Sequence, residues 1–546
     1  MMDSLTPPAT AARLDPSAVR ALDHARAAQS GFLAIGIVGA VGAGTSWTAR
    51  VLRRLLERQG VGVEIVTARE GLAAAGGADW AAAEALGATD PIGAAHALQA
   101  LGDALRARHD HAFIASAMIA RIAALRAGGP ALPPAVVVCD SLRHPAEAQL
   151  LRMVYGDAFW LLGAVCDLET RLERLTRKFT LPDGTPPEPC RVREFAERDQ
   201  DSPERHGQHV AEAFETADYF VDTSPPLRHP EAPDAELDAW PVTAELRRFL
   251  GLLRGDSRML RPTDAEQAMY HAYAARLGSA CLSRQVGAAL TDRHGQLLAT
   301  GCNEVPRAGG GLYGQGDDGD EAERERGRCH AINGYCSNTA ERNAIIDDVL
   351  RLLDEAGIAV PPAGAAARDG LRTRLRRSRL GALLEFSRSV HAEMDALVSA
   401  ARKGVSTLGG RLFVTTFPCH NCARHIVAAG IDEVQFIEPY LKSRALALHP
   451  DSITQAPREP GADPPSVARA KGAPGPHRVL FRPYVGAAPR LYRHAFAKDG
   501  EVKDGDTGAY LPGAGPGPLA VRPLRHGFET LEAEIAALFG RAVGGA

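Results

Sequence analysis

The amino-acid sequence predicts an α/β protein of two or three domains, on three observations. A chain of 546 residues exceeds what one hydrophobic core supports. From Gly31 to about Ser224, apolar runs of strand length alternate with helical periods, the pattern of an open sheet with helices between its strands. A proline-rich, charged stretch, "SPPLRHPEAPDAELDAWP", then breaks the pattern before a second α/β stretch starts near Arg261.

In the first stretch the expected strands are "FLAIGIV" (32–38), "GVEIVTA" (62–68), "AVVVCDS" (135–141) and "FWLLGAV" centred on 160–164. Their near-continuous apolar character is that of buried parallel strands. "WTARVLRRLLERQG" and "AEAQLLRMVYG" carry helical periods between them. The second stretch opens with a helix, "DAEQAMYHAYAARLG", whose Ala265, Ala268, Ala272 and Tyr273 approximate one face. A hairpin follows in "VGAALTDRHGQLLATG", turning at Asp292 to Gly295. Residues 307–387 are Gly-rich, then charged, then helical, and read as an insertion. After them come a helix from His391, a strand "RLFVTTF", a helix from Cys419 and a strand "EVQFIEP". Segments 456–478 and 498–520 read as loops or an ordered arm. The expected boundaries are an extension at 1–30, a first domain at 31–225, a linker at 226–260 and a second domain at 261–546.

Immediately after the first strand lies Gly39-Ala-Val-Gly42-Ala-Gly44-Thr45-Ser46, which nearly completes a phosphate-binding loop. Gly39, Gly42 and Gly44 suit a nest of backbone N–H groups at a helix N-terminus. Thr45 stands where the loop's lysine belongs, so binding is retained in principle while the charge needed for phosphoryl transfer is missing. A bare tight turn is the alternative. Asp140 ends the strand "AVVVCD", where such a domain places a magnesium-organising carboxylate. Arg171, Arg174 and Arg177 recur at i, i+3, i+6 and suggest either a phosphate-clamping lid or a solvated basic face. The expected ligand is a nucleotide, with or without Mg²⁺.

Composition narrows the class. The chain is 45% hydrophobic and 23% charged, with a net charge of −4 and only 5% aromatic residues. These values disfavour a broad nucleic-acid-binding surface. No run of 18 apolar residues is present, and the first thirty residues lack the apolar core of a signal peptide, so a cytoplasmic protein without a membrane span is expected. Its nine cysteines are then expected as reduced thiols or metal ligands.

The most informative segment is "VHAEMDALVSAARKG" followed by "FVTTFPCHNCARHIVAAGI". His391-x-Glu393 with Pro418-Cys419-x-x-Cys422 is the pattern of zinc deaminases. One imidazole and two thiolates supply three ligands of a tetrahedral Zn²⁺ and leave a fourth position for water. Both cysteines fall where a helix begins, and the unpaired N–H groups there favour thiolates. Glu393 is expected as the proton shuttle and not as a ligand. "RCHAINGYC" brings Cys329, His330 and Cys336 close in sequence, either as part of a second metal site or in ordinary roles. Cys281 and Cys302 flank the hairpin and are expected as small buried side chains near the site.

Upstream, "SACLSRQVGAALTDRHGQLLATGCNEVP" (279–306) resembles the first half of deoxycytidylate deaminases. The resemblance implies a three-layer α/β/α cytidine-deaminase-like domain, with Asn303 on the sugar of a bound nucleotide. It places Ser279 and Arg284 near the nucleotide and its phosphate, although Arg284 equally suits a structural ion pair. A P-loop nucleotide-kinase-like domain fused to such a deaminase domain is similar to the antiviral cytidine deaminases of bacteria, and "EPYLKSRALALHPDSI" (438–453) shares that likeness. That resemblance implies conversion of dCTP and dCMP to dUTP and dUMP during phage infection, a homo-oligomer with allosteric control, and in some members restraint by a small RNA. Two alternatives stay open: a housekeeping deoxycytidylate deaminase fused to an active nucleotide kinase, and a polynucleotide-editing deaminase.

Overall fold

In the computed structural model the chain forms two compact units. Unit one comprises Met1–Thr216, Thr223–Gly255 and Pro516–Ala546, and unit two comprises Ala217–Asp222 and Asp256–Gly515. The structure describes residues 32–127, 135–200, 206–227, 229–254, 260–314, 335–358, 365–439, 443–456, 462–475, 477–497, 503–511 and 525–544. Among them, no helix is long and apolar enough to cross a membrane, and no cysteine is in a disulfide.

Unit one is built on β1 (Leu33–Val38), β2 (Val63–Thr67), β3 (Val136–Leu142) and β4 (Phe159–Val165), hydrogen-bonded in the order β4-β1-β3-β2. All these pairings are parallel. Every residue of β3 and β4 is buried, as the apolar runs require. Helix α1 (Thr45–Glu57) leaves the glycine-rich turn and buries Trp47, Val51 and Leu55, one stripe at i, i+4, i+8. Then follow α2 (Pro91–Arg108), α3 (Phe113–Ala127), α4 (Pro145–Tyr155), α5 (Leu168–Phe179) and α6 (Pro189–Gln200). A buried ion pair ties α2 to α4: Arg106 Nη2 lies 2.7 Å from Glu147 Oε1. The other oxygen of Glu147 accepts the backbone N–H groups of Arg143 and His144, so the carboxylate is saturated although fully shielded.

Two expectations about the boundaries are corrected. The stretch read as a linker forms helices at Asp234–Asp238 and Pro241–Arg254. Its prolines begin helices, where a missing N–H costs nothing, and Val242, Leu246, Phe249 and Leu253 are buried at helical spacing. Trp240 packs edge-on against Trp47 with ring centroids 4.0 Å apart. The final helix, Arg525–Gly544, belongs to unit one and not to the second domain. Phe528 stacks on Phe32, and Arg126 pairs with Glu529 while lying over the Phe528 ring.

Unit two contains a six-stranded sheet and one short antiparallel pair. The pair joins β5 (Tyr219–Asp222) to a two-residue strand at Gly486–Ala487. The sheet holds β6 (Gly287–Thr291), β7 (Leu297–Cys302), β8 (Arg411–Thr416), β9 (Glu433–Glu438), β10 (Ile453–Thr454) and β11 (Val479–Pro483) in the order β10-β11-β9-β8-β6-β7. Strand β6 is antiparallel to both its neighbours, and the remaining pairs are parallel. Helices α7 (Asp264–Arg276), α8 (Ser337–Glu355), α9 (Ala392–Arg402) and α10 (His420–Ala428) complete the elements that matter for the site.

Helices cover both faces of this sheet, which gives three layers, and two glycines let them lie close. A Cβ on Gly287 would fall 1.9 Å from the carbonyl oxygen of Ala272 in α7. A Cβ on Gly301 would fall 2.3 Å from the carbonyl oxygen of Ala392 in α9. On the α9 side, Ala392, Ala396, Cys422 and Ile426 share one core with Ala288, Leu290 and Val414. Helix α7 buries Ala268 and Ala272 of the face the sequence suggested, together with Glu266 and Met269, while Ala265 and Tyr273 are only half-buried. Glu266 goes inward because its carboxylate accepts the N–H of Thr263 at the helix start and that of Ala487. Within 456–478 a helix forms at Pro465–Ala470. Of 498–520, the described residues 503–511 carry a bridge between Lys503 and Tyr510.

Glu147→Ala is expected to leave Arg106 buried without its partner. Loss of one member of such a pair costs about 3–5 kcal/mol, to be measured as a shift in the denaturant-induced unfolding of unit one in the intact protein.

Candidate active site

The second unit brings three soft donors to one point. His391 is the N-cap of α9, and Cys419 is the N-cap of α10, which follows β8 directly. His391 Nδ1 lies 3.3 Å from the sulfur of Cys419 and 3.3 Å from that of Cys422. The three ligand atoms all fall within 4.8 Å of one another, and among the described residues this is the one such group of His, Cys, Asp or Glu. Cys422 N–H donates to the Cys419 sulfur at 3.5 Å, the N-cap bond expected at a helix start.

The donors fit zinc. Two sulfurs and one imidazole nitrogen suit a borderline-soft ion and exclude magnesium or calcium, which take oxygen ligands. The Cys419 thiol is held down to about 4, first by its hydrogen bond with Cys422 and then by His391, so a thiolate is already favoured there. Glu393 is 4% exposed, and burial pushes its carboxyl above the usual range.

Glu393, His391 and Cys419 line a cavity of about 310 Å³, at the small end of ligand pockets (roughly 300–1,000 Å³). One part of the lining comes from the segment before β6 and from the end of β8: Cys281, Arg284, Val286, Thr416 and Phe417. A further contribution comes from the segment read as an insertion, through Cys336, Asn338, Arg342 and Ser387, and from Arg388 just after it. Of these, sequence reasoning named Cys336 and missed the other four. Arg388 stands three positions before His391, and that proximity was the available signal.

The remaining predicted residues of this unit are placed as follows. Asn303 lines the cavity, and its side chain holds the preceding loop, accepting from Val286 N and donating to the Arg284 carbonyl, both at 2.6 Å. Ser279 is buried and donates to the Asn303 carbonyl at 2.6 Å; it does not line the cavity. Arg284 lines the cavity and pairs with Glu438, whose other oxygen accepts the Thr416 hydroxyl. Cys336 lines the cavity 3.4 Å from the Ser283 hydroxyl, while Cys329 and His330 lie outside the described residues. Burial pushes the Cys302 thiol up to about 11, in keeping with a neutral, half-buried side chain.

In unit one, Gly42 and Gly44 both take positive φ, 83° and 80°, as the glycine-rich turn requires. Thr45 is buried at the first position of α1 and Ser46 is exposed. Asp140 lies on β3, 8% exposed. Arg171 and Arg174 reach the turn through hydrogen bonds to the carbonyls of Val41 and Gly42, whereas Arg177 is exposed.

A zinc ligand set with a buried, non-ligating carboxylate at the mouth of a small cavity defines a hydrolytic centre of the deaminase type. Residues 262–438 match the family described as the cytidine and deoxycytidylate deaminase zinc-binding region. This match and the donor set together indicate a hydrolytic deaminase. ComE operon protein 2 of Bacillus subtilis is 41% identical over 54 residues, which span 10% of this chain but only 29% of that protein. The deoxycytidylate deaminase of Enterobacteria phage T4 is 26% identical over 182 residues, 33% of this chain and 80% of the phage protein. A solved structure of dCMP deaminase from the cyanophage S-TIM5 aligns with 41% of this chain and all of its own, at 18% identity and a TM-score of 0.20.

Zinc content separates ligand from shuttle. His391→Ala and Cys422→Ala are expected to lose the metal, and Glu393→Ala to keep about one equivalent per chain. Elemental analysis of the purified variants reads this directly.

Proposed function

We propose that the protein deaminates free deoxycytidine nucleotides, dCTP or dCMP, to the corresponding uracil nucleotides. The observation that carries the reading is Glu393, buried beside the His391, Cys419 and Cys422 donors in a cavity of nucleoside size. When bound, zinc supplies Lewis acidity that brings the ionisation of water down to about pH 7. Glu393 takes a proton from the attacking water and passes it to N3 of the cytosine ring. It then carries the second proton to the departing ammonia, so water is consumed and ammonia released in equal amounts. Burial favours this role, because raising the carboxyl above its usual range strengthens it as a proton acceptor.

The walls of the cavity support a phosphorylated substrate over a bare nucleoside. Arg284, Arg342 and Arg388 all line it. Glu438 neutralises Arg284, while Arg342 is held by the carbonyls of Asn338 and Gly381. One terminal nitrogen of Arg388 is shielded from water without a hydrogen-bond partner among the described residues. A phosphate is the natural acceptor for it. The glycine-rich turn of unit one is read as a nucleotide-binding, regulatory site without kinase turnover, since Thr45 replaces the lysine. The likeness to antiviral deaminases supports a role in draining dCTP during phage infection.

The purified protein is expected to form uracil from dCTP or dCMP; conversion of a cytosine-containing oligonucleotide alone would overturn the reading. Glu393→Ala should lower turnover by roughly 10²–10⁴-fold with its zinc retained. Arg388→Gln should raise KM for the nucleotide by roughly 10–100-fold, the loss of one charge-assisted hydrogen bond, with kcat little changed in steady-state assays.

A further inference from the structure

The glycine-rich turn of unit one is already engaged on every side by its own chain. Its carbonyls at Gly39, Val41, Gly42 and Ala43 accept hydrogen bonds from Arg143, Arg171, Arg174 and Thr223. Helix α5 presses onto it so closely that a Cβ on Gly42 would lie 2.8 Å from the Arg171 carbonyl oxygen. A carboxylate occupies the donor side of the turn. Asp199, near the end of α6, accepts the Val41 N–H at 2.8 Å through one oxygen and Arg143 at 2.8 Å through the other. It is 1% exposed.

This is how a phosphate would be held: one backbone N–H of the turn that precedes a helix and one guanidinium. The charges around it do not balance within the chain. Arg171 is 6% exposed, and its Nη2 is shielded from water with no hydrogen-bond partner among the described residues. Burial lowers its hold on a proton, an effect opposed first by Asp199. A guanidinium nitrogen buried beside the turn and left without an acceptor calls for an anion larger than one carboxylate. The segment that supplies Asp199 is also a separate piece of packing. Val192, Phe195 and Ala196 of α6 join Leu175 and Phe179 of α5 and Ile92 of α2 in a small core of their own.

We infer that the turn is an anion site held shut by Asp199, and that a phosphate-bearing small molecule binds it by displacing that carboxylate and taking Arg143 and the free nitrogen of Arg171. This rests on the nucleotide-binding reading of the turn and adds the residue that gates it. Because Asp199 must leave before the ligand enters, the site responds only to a ligand that outcompetes an internal anion, which is the behaviour of a threshold sensor.

The test uses the full-length protein and inorganic pyrophosphate as the probe, with calorimetry and hydrogen exchange. Asp199→Asn should bind pyrophosphate at least about tenfold more tightly than the unmodified protein, and Arg171→Gln at least about tenfold more weakly. Asp234→Asn makes the same charge change at the ion pair with Arg54 and should bind as the unmodified protein does. In the unmodified protein, saturation should protect 39–46 while exposing 189–200, a result that needs no variant to fold. An Asp199→Asn affinity equal to that of the unmodified protein, or unchanged exchange in 189–200 on saturation, overturns the gate while leaving the binding site intact. Absence of binding at millimolar pyrophosphate in both proteins overturns the nucleotide-site reading along with it. Uracil formation from dCTP or dCMP, measured alongside, reports on the deaminase reading separately.

Discussion

Two helices that begin at the same point hold the deaminase centre together. Helix α9 starts from His391 and α10 from Cys419, and each starting residue is also a donor to the metal site. At a helix start the backbone N–H groups lack partners within the helix and carry partial positive charge, so anionic groups settle there at least cost. A thiolate at Cys419, otherwise expensive to bury, is favoured by the hydrogen bonds at the terminus that also aims it. The sheet fixes the distance between those termini, because β8 leads straight into α10 while Gly301 of β7 lies under α9. The remainder of the cavity is arranged around this convergence.

What the sequence revealed followed from how local the information was. The spacing of His391 and Glu393, and of Cys419 and Cys422, encodes the site directly, because each pair spans a single turn at a helix start. The hairpin at Asp292 to Gly295 was legible for the same reason, its turn being defined by adjacent residues. The rest of the cavity was not legible. Asn338 and Arg342 reach the site from a long segment whose charged, glycine-rich composition resembles an excursion from the fold, and Arg388 follows directly after it. Ser279 could be picked out by likeness, but whether its hydroxyl faces a ligand or the Asn303 carbonyl depends on a contact 24 residues away. The final helix returns to unit one from the far end of the chain, a pairing that no local pattern announces. In 226–260, proline and charge were taken as marks of a linker, whereas the apolar period beneath them was the better guide.

The two units treat negative charge differently. Around Glu393 burial raises a single carboxyl above its usual range. Around Asp199 a carboxyl group accepts from an arginine and from a backbone N–H. The same functional group thus sits in two different settings, one dominated by burial and the other by hydrogen-bond donors.

Gly301 gives the deaminase centre its vertical scale. With no side chain between the strand and α9, the helix backbone lies directly on the sheet, and the carbonyl of Ala392 occupies the space a methyl group would take. Ala392 stands between His391 and Glu393, so the height of the helix above the sheet is also the height of both these residues. The reach of both groups into the cavity is set by contact between two backbones, which cannot adjust by changing a rotamer. The domain has in effect a fixed gauge block at its centre, and variation in substrate preference is left to the walls, where side chains can change without moving the reacting groups.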